Sequence, residues 1–264
     1  MRLFFPIILS LLSVPVFAQT QSETPPEKLW SQADAYFDAA EMEAARKVVL
    51  QKNGAQKFSL LMADRLEIQS ADSESALLWD GQFWVGGDKH KLWIKSEGEY
   101  GFKETEIEEA EITTLYSRAI SPYFDMQAGI RYDLAPKGRA HLTIGMLGLA
   151  PGWFEVDGAA YLSKDGDLSA SFEAEYDMVI TQRLILQPRL EMEISGSDIA
   201  ALGTGSGLTH VDLGARLRYD IKREFAPYIG VEWQSDFGKT ADYTRADGGE
   251  KSRVVVMAGV KLWR

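Results

Sequence analysis

The stretch Pro122-Tyr123-Phe124-Asp125-Met126-Gln127-Ala128-Gly129-Ile130-Arg131-Tyr132-Asp133-Leu134 is apolar at every second position. Phe124, Met126, Ala128, Ile130, Tyr132 and Leu134 fall on one side; Asp125, Gln127, Gly129, Arg131 and Asp133 fall on the other. Side chains of a strand alternate between its two faces, so one face here must meet an apolar surface and the other must meet water or charge. Stretches of this kind recur to the C-terminus, which points to a closed antiparallel transmembrane β-barrel rather than a soluble enzyme.

Twelve strands are predicted: 58–68, 77–86, 91–101, 107–118, 123–134, 139–149, 153–163, 168–180, 183–195, 208–222, 225–237 and 252–263. Most reach the 9–11 residues that a tilted strand needs to cross a bilayer. Connections after even-numbered strands are tight, as at Gly87-Asp88-Lys89, Ala150-Pro151-Gly152 and Arg223-Glu224. The two longest loops, 196–207 and 238–251, follow odd-numbered strands. That asymmetry places both barrel termini on the short-turn, periplasmic side.

Energetics assigns the faces. Arg131 turned to lipid would cost about 2–4 kcal/mol near the midplane, with Asp125 and Asp133 adding less. The same argument sends Arg183, Arg189, Glu191 and Glu193 of the ninth strand, and Asp212, Arg216, Arg218 and Asp220 of the tenth, into the lumen. Phe124, Tyr132, Phe225 and Phe237 are expected at the ends of apolar faces, as interfacial girdles.

Ahead of the barrel, Met1–Ala18 reads as a signal peptide: Arg2, then an apolar run, then Val16-Phe17-Ala18 before Gln19. Residues 19–55 form a linker with Pro25 and Pro26 and a helix expected over 34–52, with Asp38 and Glu41 at capping-box spacing. Met42, Ala45 and Val49 give that helix an apolar stripe. The barrel occupies 56–264. The chain has no cysteine, which excludes disulfides, thiolate metal sites and cysteine nucleophiles. Net charge is −11, or −12 without residues 1–18, which argues against nucleic acid as a partner. Gly203-Thr204-Gly205-Ser206-Gly207 lacks the Lys of a phosphate loop, and no Gly-x-Ser-x-Gly elbow occurs. The chain is therefore read as a non-enzyme.

Several long segments resemble the copper resistance protein B family of outer-membrane proteins. They are Leu78-Trp79-Asp80-Gly81-Gln82-Phe83-Trp84-Val85-Gly86-Gly87-Asp88, Leu115-Tyr116-Ser117-Arg118-Ala119-Ile120-Ser121-Pro122, Gly148-Leu149-Ala150-Pro151-Gly152-Trp153-Phe154-Glu155, Thr181-Gln182-Arg183-Leu184-Ile185-Leu186-Gln187-Pro188-Arg189 and Phe225-Ala226-Pro227-Tyr228-Ile229-Gly230-Val231. The resemblance runs from about Ala63 to the C-terminus. It implies an outer-membrane protein tied to copper ion binding, copper homeostasis and copper resistance, acting beside outer-membrane lipid with a periplasmic copper-handling protein. Two departures stand out. Family members often carry a Met- and His-rich segment before the barrel, whereas 19–56 holds one Met and no His. Arg264 also stands where outer-membrane barrels usually end on an aromatic residue.

Parity puts Met126, Met146, Met178 and Met192 on outward faces and leaves Met257 and Met62 as inward thioethers. Copper ligands are therefore sought in the lumen, among His141, His210, Glu97 and Glu99, a nitrogen and oxygen set that favours Cu(II) over Cu(I). Glu97, Glu99, Glu109 and Glu111 are expected on one wall and Arg131, Arg183, Arg189, Arg216 and Arg218 elsewhere. Two readings follow for these charges: a polarised pore that draws in cations, or a salt-bridge network that fills a narrow barrel. The first is shared by a general small-solute or cation channel without copper specificity.

Overall fold

A computed structural model describes residues 31–54, 56–71, 74–103 and 105–264. The expected signal peptide and nearly all of the expected linker lie outside the described residues. Two compact units are present, residues 1–55 and 56–264.

In the first unit a 3-10 turn, Gln32–Ala35, precedes helix α1, Ala39–Asn53. The helix begins later than residue 34 because Asp38 caps it. Its Oδ1 accepts from the backbone N–H groups of Ala40 (2.9 Å) and Glu41 (3.1 Å), two donors the first helical turn leaves unpaired. Gly54 closes the helix, donating to the Leu50 carbonyl at 2.9 Å. Arg46 ties the turn to the helix through Asp34 at 2.5 Å.

The second unit is a closed antiparallel barrel of twelve strands. They are β1 (Phe58–Ala71), β2 (Glu74–Gly86), β3 (His90–Gly101), β4 (Glu106–Ala119), β5 (Phe124–Ala135), β6 (Arg139–Ala150), β7 (Phe154–Ser163), β8 (Leu168–Glu175, resumed at Met178–Val179), β9 (Leu184–Ser195), β10 (Gly207–Tyr219), β11 (Phe225–Asp236) and β12 (Ser252–Trp263). Each strand pairs with the next, and β12 closes on β1, with Met62 opposite Trp263 and Ser70 opposite Val256. Beyond β12, Arg264 and Leu61 exchange backbone hydrogen bonds at 2.8 and 2.9 Å, so the seam stays paired past Trp263. Closure leaves no open sheet edge, the condition for strands to cross lipid.

Burial is inverted relative to a water-soluble domain. Ile130 is 56% exposed and Val254 59%, while Glu67 is 1%, Arg189 2% and Arg216 3% exposed. Apolar side chains face outward to lipid and charged ones face the interior. Met126, Met146 and Met178 are exposed on this outer surface; Met257 is buried inside.

Three expectations need correction. β8 is not continuous: it breaks at Tyr176-Asp177, opposite Pro188 of β9. Tyr176 N–H reaches the Pro188 carbonyl at 3.2 Å, but proline has no N–H to return, so the ladder lapses there. Arg183 is not on the wall. Thr181 Oγ1 accepts from the backbone N–H groups of Arg183 (3.3 Å) and Leu184 (2.9 Å), which holds Arg183 in the turn, exposed, with the strand beginning at Leu184. β11 ends at Asp236, one residue short of the expected Phe237, which precedes a helix. The long loop after β11 carries that helix, α2 (Gly238–Ala246).

Candidate functional site: an acid-lined lumen

One side of the interior is filled. Arg216 on β10 reaches Glu67 on β1 through two contacts, Nη2–Oε1 at 2.9 Å and Nε–Oε2 at 3.1 Å, and Glu232 on β11 at 3.2 Å. Tyr228 donates to the same Glu67 at 2.8 Å. Arg189 on β9 meets Glu173 (2.7 Å), Glu175 (3.2 Å) and Glu191 (2.6 Å). Arginine offers five N–H donors in a planar fork, so each guanidinium neutralises several carboxylates while buried.

Open space remains beside these pairs, and Glu173, Glu175, Glu191 and Glu232 also line it. A cavity of about 1080 Å³ runs from Leu60, Trp84 and Leu149 near the short turns to Thr204, Thr240 and Asp247 at the long loops. Carboxylates outnumber lysines and arginines along it by more than two to one. Its strongest feature is a row set by register. Asp80 of β2 stands opposite Glu97 of β3, Glu97 opposite Glu111 of β4, and Glu111 opposite Asp133 of β5. Like charges directly opposed across strands repel. The ends of the row are neutralised by Arg65, 3.1 Å from Asp80, and by Arg131, which pairs with Glu111 and, at 2.8 Å, with Asp133. Glu97 lies between two carboxylates and has no ion pair among the described residues. One step outward, Glu99 stands opposite Glu109, again as two carboxylates.

The chain matches the family described as "Copper resistance protein B precursor (CopB)" over residues 57–264, the whole barrel. It is 41% identical over 205 residues to copper resistance protein B of Escherichia coli, covering 77% of this chain and 69% of that protein. It is 40% identical over 206 residues to the copper resistance protein B homolog of Pseudomonas syringae pv. tomato, covering 78% and 69%. The chain belongs to the copper resistance protein B family. Among solved structures it is similar to the NanC porin, with a TM-score of 0.53 and 12% identity, over 76% of this chain and 98% of that one, a likeness of fold. The copper resistance protein B barrel is an outer-membrane protein.

The copper-ligand candidates of this family member sit in different surroundings. His141 is buried on β6, with Nε2 2.8 Å from Asp133. A carboxylate accepts, so Nε2 donates to it; Nδ1 has no hydrogen-bond partner. This is the orientation a carboxylate imposes on metal-binding imidazoles. His210 differs, because both nitrogens are engaged, Nδ1 with Asp236 and Nε2 with Asp212, each at 2.7 Å. Glu97, Glu99 and His210 line the cavity. His141 and His210 stand on β6 and β10, which are not neighbours, and the four candidates do not converge. Among the described residues no three or more His, Asp or Glu side chains form a ready metal-binding group.

The expected lumen residues are distributed as follows. Asp125 accepts from Lys91 Nζ (2.7 Å) and Ser117 Oγ (3.1 Å). Arg131 and Asp133 flank the carboxylate row. Arg189 with Glu191, and Arg216, belong to the filled side. Arg218 pairs with Asp177 (2.7 Å) and Asp220 (3.2 Å). Sequence reasoning did not single out Asp80, because Leu78 and Trp84 share its inward face on β2 and weaken the alternation there. Lys95, which pairs with Asp157 on β7 across the lumen, gave no local signal either.

Proposed function

We propose that this barrel contributes to copper resistance by holding Cu(II) weakly at separate points of its acidic interior, Glu97 at one and His141 at another, and without catalysing a reaction. The row Asp80–Glu97–Glu111–Asp133 carries the proposal, since it leaves an unpaired carboxylate between two others beside an open cavity. A divalent cation relieves that repulsion, and carboxylate with imidazole suits Cu(II) better than Cu(I). The lack of a preformed cluster of three ligands among the described residues favours weak, multi-site occupancy completed by water. Weak sites are what passage demands, because an ion held too tightly does not leave. His210, fastened at both nitrogens, is a lumenal positive charge in this reading rather than a ligand. A periplasmic copper-handling protein is the partner proposed for the short-turn end.

The test is titration of the purified barrel with CuCl₂. Glu97→Gln and His141→Ala are each expected to weaken Cu(II) binding about tenfold or more, while His210→Ala changes it less than threefold. Equal affinity in all four proteins overturns the ligand assignment.

The acid-lined cavity also supports a second reading, a cation channel indifferent to the metal. A deletion strain sensitive to copper but not zinc favours the copper reading. Equal loss of permeability to unrelated cations favours the channel.

A further inference from the structure

We infer that the two long loops form a latch that closes the outer mouth of the lumen to small cations. The first loop, 196–206, leaves β9 and turns through Ala200–Leu202; the second, 237–251, carries α2. Each contributes to the wall of the same cavity, Leu202 and Thr204 from the first, Thr240 and Tyr243 from the second.

Three ties hold them. Lys239 Nζ pairs with Asp198. The Gly205 backbone N–H donates to Thr240 Oγ1 at 2.9 Å. Thr244 Oγ1 donates to Asp236 Oδ2 at 2.5 Å, which anchors α2 to the end of β11. The first loop is itself drawn tight, with the Ser206 N–H on Asp198 Oδ1 at 2.7 Å. The loops approach so closely at Gly205 that a Cβ there would stand 2.6 Å from Lys239 Cβ. On the helix, Ala241 is buried.

An exposed ion pair alone contributes little, so closure rests on the three ties acting together. The first two join segments from two different hairpins, which otherwise move independently as long loops do, and the third fixes α2 to its own strand. The latch is placed by geometry and is independent of which cation the lumen accepts.

The experiment uses the full-length barrel in planar bilayers in KCl. The variant Lys239→Glu/Thr240→Val/Thr244→Val removes all three ties and sets a second carboxylate against Asp198. It is expected to conduct at least fivefold more than wild type. A second variant, Asp198→Cys/Lys239→Cys, places the only two cysteines in the chain across the latch. Oxidised with diamide it is expected to conduct no more than wild type, and reduced with dithiothreitol more than the oxidised form. The same conductance in wild type, the triple variant and both redox forms overturns the latch; if the triple variant does not fold, the cysteine pair decides alone. Copper titration of the same preparations separates the two ideas, since the latch is read by conductance and the ligand assignment by binding.

Discussion

Arg216 and Glu67, 149 positions apart in the chain, are joined by two contacts of 2.9 and 3.1 Å, and both side chains are almost wholly buried. The pair crosses from β10 to β1, over two intervening strands, and so braces the barrel at its seam. Removing Glu67 leaves the buried Arg216 with only Glu232, at 3.2 Å, to balance it, and strips the buried Tyr228 hydroxyl of its acceptor. Glu67→Ala is therefore expected to destabilise the folded barrel by about 3–5 kcal/mol. Replacing both, as Glu67→Leu/Arg216→Met, is expected to cost less than the single change. Urea unfolding in lipid vesicles, followed by tryptophan fluorescence, measures both.

The outer face offers a contrasting substitution. Ile130 faces lipid midway along β5, whereas Arg131 beside it faces the lumen. Ile130→Arg is expected to cost about 2–4 kcal/mol, the penalty for arginine near the bilayer midplane. Ile130→Leu is expected to be close to neutral. The same vesicle unfolding assay reports both, and a neutral Ile130→Arg would show that the faces had been assigned the wrong way round.

Copper binding depends on imidazole lone pairs, and the two histidines differ in theirs. His141→Gln keeps a polar side chain beside Asp133 but loses the Nδ1 lone pair that has no partner. Cu(II) affinity is expected to fall about tenfold without loss of folding. For His210→Gln, copper affinity is expected to hold. Isothermal titration with CuCl₂, alongside a ZnCl₂ series, distinguishes them.

The latch gives a prediction for pH. Lys239 and the Ser206 N–H hold the Asp198 carboxyl down at about 2, below the ordinary carboxylate range. Its folded value is thus depressed. The pair's contribution is complete above the unfolded value of about 3.9 and is lost as pH falls through about 2. Lys239, raised by the same contact, stays charged throughout, and Tyr243 is the other titratable neighbour of Lys239. The ratio of triple-variant to wild-type conductance is expected to stay flat from pH 8 to pH 4.5. Because the pair is exposed, 1 M salt is expected to loosen the latch more than mild acid does.

Much of this was legible in single strands. Residues 122–134 are enough to assign faces, because the period of two is a property of the backbone and an arginine in lipid is expensive wherever its strand lies. Asp38 announced its cap, since the capping bonds reach only two and three residues ahead. The turn at Thr181 illustrates the limit at a strand end: parity alone sent Arg183 inward, but a local side-chain bond held it in the turn.

Register lay beyond the sequence, and the lumen depends on it. Asp80, Glu97, Glu111 and Asp133 each point inward by parity, yet only the pairing of four strands sets them in one row. A register shift in β1 between Ala63 and Arg65 brings consecutive residues to the cavity, so Asp64 pairs with Lys261 and Arg65 with Asp80. No alternation rule anticipates that, because a bulge breaks the rule locally. The sequence by itself determined the class of protein, the sidedness of each strand and the membership of its family. Which charges neutralise one another, which carboxylate is left free, and how the two long loops meet were decided by the closed tertiary structure, where strands distant in sequence face each other across a few ångströms of low-dielectric interior.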